Sequence, residues 1–356
     1  MKENLLKKLK KLTELSGVSG HETEVVRFLR DQLGKIADEI EIDAMGNVFA
    51  LKRGNQDGPR FMLAAHSDQI GAVVRWIDDD GFLRFERVGG TLNSLLVGRK
   101  VRVGDVFGVI GVKPGHYQTA EEKKQVPSTE ELYIDVGAES REEARQLGVE
   151  IGTPVTYDDE LSIFADGNHF CGAGVDDRAG CAVMWQLLEE VAGGNFAGEL
   201  WAVATVQEEV GLRGAGVAAE RVKPDFALAL DTIPCGGTPD VSKSQLHLEI
   251  GKGPVFALVS GPRGRAAAPP VIRNLLIDTA QKHEVPHQPV IFNGGNNDAA
   301  SIQQAVKGIP AGSVTLPRRY SHSPVEVGDI RDMQATVDLL KAIVNEMSEV
   351  DNFKFI

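Results

Sequence analysis

The sequence predicts an α/β protein: a mixed, mostly parallel sheet sandwiched between helices, with a small β-barrel inserted into it. Three observations carry this prediction. Near-continuous apolar runs such as RFMLAA (Arg60 to Ala65) alternate with segments of helical periodicity, the pattern of strands buried on both faces. Between about 70 and 163 the texture changes to short alternating segments separated by glycine turns. The chain has 356 residues, 42% of them hydrophobic, only 6% aromatic and 39 glycine, enough for one large domain or two ordinary ones around an aliphatic core.

The elements follow in order. MKENLLKKLKKLTEL is an amphipathic helix with Leu5, Leu6, Leu9, Leu12 and Leu15 on one stripe. Ser19 is expected to cap a second helix whose apolar face is Val25, Val26, Phe28 and Leu29. EIEIDAMGNVFALKR predicts a hairpin turning at Met45, Gly46 and Asn47, and RFMLAA a central strand. AVVRWI, GFLRFERV, KVRVGDVFGVIGV and ELYIDVG form the inserted β-rich module, in which 121–125 and 139–146 are charged and exposed. From about Cys171 the α/β texture returns. A helix is predicted over Arg178–Val191, with strands at Leu200 to Gln207 and Asp225 to Thr232. A helix over Pro270–His283 comes next, then strands in HQPVIF and AGSVTL. A final helix over Ile330–Met347 carries Met333, Val337, Leu340 and Ile343. The division is 1–69 with 164–356 as one discontinuous catalytic domain, and 70–163 as the insert.

Composition narrows the function. Asp and Glu number 51 against 38 Lys and Arg, a formal charge of -13, so a nucleic-acid partner is not expected. No apolar run approaches a membrane span, and the N-terminal helix lacks the continuous apolar stretch of a signal peptide. Cys171, Cys181 and Cys235 are odd in number with no C-x-x-C pair, which predicts free buried thiols and a soluble, cytoplasmic protein.

Several buried segments end in residues that bind metals. These are His66 with Asp68, Glu208 with Glu209, Asp231, Asp176 at the opening of a helix, and His322 after the last strand. Singly, each has a bland reading as a cap, a solvated face or chance. Together at the ends of apolar strands they do not, because an unpaired buried carboxylate costs several kcal/mol. Asp176, Glu209 and Asp231 bring three negative charges, and His66 and His322 none. Two divalent ions and a bridging hydroxide would balance them. Mixed His and carboxylate donors suit zinc, cobalt or manganese better than calcium. Such a pair of ions polarises a carbonyl and activates water, and a non-ligating carboxylate must then move the proton. Glu208 and Glu209, being adjacent, would divide those tasks.

AAHSDQIG, GVDDRAGC, VQEEVGLRGA, LALDT, NGGNNDAASI and RRYSH, in this order along almost the whole chain, resemble the tetrahedral-aminopeptidase or glutamyl aminopeptidase family of di-metal metallopeptidases, whose members also carry endoglucanase labels. The resemblance implies that Asp176 bridges two metals, with His66 and His322 completing one and Glu209 and Asp231 the other. It implies Glu208 as general acid/base and Asp68 as the hydrogen-bond partner of His66. It also implies a dimerisation role for 70–163, a peptide substrate, and assembly of dimers into a tetrahedral dodecamer. The chain departs from the family pattern at Gln69, where Glu is usual, and at Asn297, where Thr precedes Asp298. Asn297 and Asp298 are expected to border the substrate pocket.

Other residues have plainer readings. His116, His169, His247, His283 and His287 are expected to be structural. FNGGNND lacks the Lys-Ser/Thr of a phosphate loop. Gly211, Gly214 and Gly216 read as a loop needing close backbone approach. Arg263 and Arg265 read as a solvated loop, or alternatively as selectors of an acidic substrate side chain. The leading function is an aminopeptidase in which hydroxide held between two metals attacks the scissile carbonyl. The alternatives are an N-acyl amino-acid deacylase or dipeptidase on the same site, and a catalytically idle assembly protein. A glycosidase would need two carboxylates around a sugar cleft rather than five metal ligands.

Overall fold

The computed structural model describes residues 2–263, 265–350, 352 and 353; Met1, which opens the predicted first helix, lies outside them. Apolar side chains on both faces of the central strands determine the layering. In the strand Gln56–His66, Phe61, Leu63 and Ala65 point into one core, shared with the helices Lys2–Thr13, Thr23–Leu33, Val175–Glu190, Pro270–Lys282 and Ile330–Glu346. Met62 and Ala64 point the other way, onto Ala215, Ala218 and Ala219 of the helix Arg213–Val222. With no polar face available, such a strand is stable only between two helical layers.

The sheet runs in the order Glu39–Ile42, Val48–Arg53, Ala197–Thr205, Gln56–His66, Phe226–Pro234, Ala311–Arg318, Val255–Ser260 and Ala266–Ala267, with Gln288–Phe292 paired to Val255–Ser260. Its four central strands are parallel, Val48–Arg53 and Val255–Ser260 run antiparallel to the central strands they border, and Gln288–Phe292 runs parallel to Val255–Ser260. The parallel strands therefore deliver their carboxyl ends to one edge. The first hairpin turns where predicted: Ile42 faces Val48, and the Asp43 carboxylate accepts from the amides of Met45, Gly46 and Asn47 at 2.9, 2.9 and 3.0 Å.

The insert closes into a six-stranded barrel with its own core of Val74, Leu83, Phe85, Val101, Val103 and Ile134. Its strands run from Gly71–Ile77 to Pro154–Tyr157. Residues 121–125 are exposed as expected, whereas 139–146 contains a short helix, Arg141–Gln146, capped by Ser140 and burying Ala144. Among the described residues, no helix is long and apolar enough to cross a membrane.

Three expectations need correction. Ser19 does not cap the second helix: Glu22 holds that position, and the Ser19 hydroxyl donates to the Asp68 carboxylate at 2.6 Å. The glycine-rich stretch after Glu209 is not all loop, since the helix Arg213–Val222 begins inside it. Gly211 (φ +130°) and Gly214 do require glycine, the latter because a Cβ would sit 2.4 Å from Asn47 Oδ1; Gly216 has ordinary space around it. The strand Val255–Ser260 was not foreseen.

Candidate metal centre

The edge that collects the strand ends holds every residue singled out as a metal-ligand candidate. His66 ends its strand, Asp231 lies near the end of Phe226–Pro234, and Glu208 and Glu209 follow Ala197–Thr205. His322 follows Ala311–Arg318. Asp176 opens the helix Val175–Glu190 but has extended backbone angles (φ -77°, ψ 114°), which turn its carboxylate toward the strand ends. Two groups result, each with donor atoms within 4.8 Å of one another: His66, Asp176 and Asp231, and Asp176, Glu209 and His322. Asp176 belongs to both, as the resemblance implies. The pairing of the outer residues differs from that implied: His66 shares its group with Asp231, and His322 with Glu209. His66 Nε2 lies 3.2 Å from Asp176 Oδ1 and 3.9 Å from Asp231 Oδ1, whereas His322 Nε2 lies 3.3 Å from Asp176 Oδ2 and 3.6 Å from Glu209 Oε2.

The donor set fits divalent cations. Glu209 Oε1 is buried with no hydrogen-bond partner, an acceptor that burial makes costly unless a cation takes it. Gln207, Leu212, Tyr320 and His322, all around the centre, have left-handed backbones, each strained by roughly 1–3 kcal/mol for a non-glycine residue.

Burial raises the Glu209 carboxyl to about 7 and that of the neighbouring Asp177 to about 8. It also pushes Glu208 and Asp231 well above the ordinary carboxylate range. Burial would raise Asp176 too, but the Arg318 guanidinium and the two imidazoles hold it well below that range. Burial opposes the charge of His66, yet hydrogen bonds to Asp176 and Asp68 carry it well above the usual imidazole value. A carboxyl raised in the folded state stabilises the fold below its unfolded value, and that contribution is lost as pH rises through the folded one. For Glu209 the window runs from 4.5 to about 7. Cations bind the deprotonated centre, so the gain in Tm on loading metal should widen from about pH 5 to about pH 8. Calorimetry of loaded and chelator-stripped protein checks this, and a constant gain would contradict it.

The sequence profile of the M42 glutamyl aminopeptidases matches residues 46–339. The chain belongs to the M42 glutamyl aminopeptidase family. It is an enzyme of the metal-dependent aminopeptidase class. The lysyl aminopeptidase of Pyrococcus furiosus is 35% identical over 350 residues, 96% of this chain and 97% of its own. An aminopeptidase from the archaeon Desulfurococcus kamchatkensis superposes with a TM-score of 0.92 at 36% identity, over 97% of this chain and 95% of the other. The TET1 peptidase of Pyrococcus horikoshii, described as assembling into a tetrahedron or a large octahedral shell, gives 0.85 at 31% identity over 96% and 99%.

Around this M42 centre, Asp68 has more than the expected role. His66 Nδ1 faces the main-chain carbonyl of Asp68 at 3.1 Å and its carboxylate at 3.5 Å. The carboxylate also accepts from the Ser19 hydroxyl and from the amides of Glu208 and Glu209, at 3.0 and 3.2 Å for the two amides. One buried acid thus contacts His66, Glu208 and Glu209 together.

Sequence reasoning missed three contributors. Arg318 reaches Asp176 Oδ2 at 2.5 Å and also pairs with Glu326, both buried. Glu326 in turn accepts from the amides of Asp176 and His322 at 3.0 and 2.9 Å. The third is Gly90, from the barrel, whose carbonyl lies 3.3 Å from His322 Nδ1 and leaves Nε2 free for the centre. A Cβ on Gly90 would sit 2.8 Å from that nitrogen and meet no residue other than His322 within 4 Å. Gly90→Ala should therefore weaken the binding of a divalent ion at the candidate group Asp176, Glu209 and His322 about 10–100-fold. Gly115→Ala, whose Cβ enters open space in the same insert, should leave it unchanged. Chelator competition measures both.

The other candidates separate. Asn297 lines the cavity beside the centre, while Asp298 is buried outside the lining and accepts from the Thr205 hydroxyl at 2.6 Å. Gln69 lies outside the lining; its Oε1 accepts from the buried Arg178 at 3.2 Å. Cys181 donates its thiol to the His66 carbonyl at 3.2 Å, and burial holds that thiol up at about 12, so it is no thiolate ligand. Arg263 and Arg265 are exposed and outside the cavity lining. His169 and His283 pair with surface-side acids, and His287 stacks on Phe256.

Proposed function

We propose that the chain removes N-terminal residues from peptides, using two divalent ions, zinc or cobalt with manganese a third choice, to each of which Asp176 would supply a carboxylate. The ions would polarise the scissile carbonyl and lower the pKa of the attacking water. His66 with Asp231 would hold one, and Glu209 with His322 the other. Glu208, at the cavity wall and 8% exposed, takes the proton from water and hands it to the leaving amine. Its backbone amide donates to the Asp68 carboxylate at 3.0 Å, which fixes the main chain at this position.

One observation supports this reading above its rivals. Arg318 is the cation that lines the cavity besides His322, and Asp176 and Glu326 already engage it. Among the described residues, the lining leaves no free cation for a substrate carboxylate. A deacylase of N-acyl amino acids, or a dipeptidase gripping the C-terminus, needs the reverse. Carboxyl-blocked dipeptides should be cleaved and amino-blocked ones should not; the opposite preference would overturn the assignment. An idle scaffold would have no use for Glu208 in the cavity wall.

The division into 1–69 with 164–356 and an insert over 70–163 is part of the same proposal, with the barrel as the dimerisation unit. The assembly described for the Pyrococcus horikoshii relative supports a homo-oligomer; dimers as its building blocks and a dodecamer as its size belong to the proposal. Free Cys171, Cys181 and Cys235 are consistent with a cytoplasmic enzyme.

A further inference from the structure

We infer that this enzyme prefers a neutral, aliphatic N-terminal residue of the leucine or methionine kind, over the glutamyl residue of its family's name and the lysyl residue of its Pyrococcus furiosus relative. The inference rests on the aminopeptidase reading and concerns the wall of the cavity away from the metal-ligand candidates.

The cavity encloses about 400 Å³. Beyond the candidate centre its wall includes Ile233, Ala257, Phe292 and Leu212, and its other side chains there, Ser260, Asn296 and Thr315 among them, are uncharged. Two of those polar groups are already satisfied: the Ser260 hydroxyl donates to Asn296 Oδ1 at 3.3 Å, and that of Thr315 to the Val255 carbonyl at 3.1 Å. Ile233, Ala257, Ser260 and Thr315 are nearly inaccessible, so this wall is pre-formed.

A glutamyl side chain entering here would need a cation. Arg318 is committed to Asp176 and Glu326, and Arg263 and Arg265 stand outside the lining. A lysyl side chain would need an acid, and the acids of the lining (Asp176, Glu208, Glu209 and Asp231) are those given to the metals and the proton transfer. Either charge would be desolvated without a partner, whereas an aliphatic side chain gains from burial against Ile233 and Phe292.

The test uses the full-length, metal-loaded enzyme and leucyl-, methionyl-, glutamyl- and lysyl-p-nitroanilides. The leucyl and methionyl substrates should exceed the charged pair in kcat/KM by at least about tenfold. Phe292→Ala should raise the leucyl KM and narrow the leucyl-to-glutamyl ratio in kcat/KM. Glutamyl or lysyl turnover equal to or above leucyl would overturn the inference. Calorimetric binding of free L-leucine, L-glutamate and L-lysine to the wild type keeps the two readings apart. If no anilide is cleaved, the aminopeptidase reading fails, and the tightest-binding amino acid still decides the pocket: leucine supports the inference, glutamate or lysine contradicts it.

Discussion

Glu208→Gln is expected to lower kcat by at least about a hundredfold while the protein still binds its metals. The amide keeps the size of the side chain and the contact of its backbone with Asp68, but it cannot accept the proton of the attacking water. No atom of Glu208 belongs to either group of candidate donors, so metal content should stay at the wild-type value. The separation matters: a variant that lost both activity and metal would place Glu208 among the ligands. Near-wild-type activity would remove it from the mechanism.

Asp176→Ala should have the larger effect, because one carboxylate serves both groups. Removing it leaves His66 with Asp231, and Glu209 with His322, as two-donor remnants. It also frees Arg318, a buried cation, from one of its two acids. Activity should fall roughly a thousandfold or more, the equivalent of about 4 kcal/mol of lost transition-state stabilisation. Metal content should fall with it. His322→Ala, by comparison, should empty one position and spare the other. If the two substitutions cost the same in bound metal, Asp176 is not shared.

These predictions show which features could be read from the chain. The candidate ligands were legible because buried strands cannot tolerate charge: His66, Glu209 and Asp231 follow runs so apolar that a polar end needs a reason. The barrel was legible from a change in periodicity. The division of donors between two metals was not, since it depends on how Asp176 and His322 approach across the sheet edge, and spacing along the chain carries no such distance. Gly90 was invisible for a different reason. It acts through a main-chain carbonyl, which any residue possesses, and only the close approach of His322 marks it. Arg318 and Glu326 were passed over because each alone resembles a surface ion; the structure buries both and pairs them. Ser19 sat where a helix cap is common, and tertiary contact with Asp68 outweighed that local preference.

A metal count tests the shared two-metal centre most directly. Protein saturated with zinc or cobalt and freed of loose ions by gel filtration should carry two ions per chain by elemental analysis. Asp231→Ala and His322→Ala should each carry about one, and Asp176→Ala fewer than one. A wild-type protein holding one ion or none, or single-ligand variants that still hold two, would contradict a shared two-metal centre.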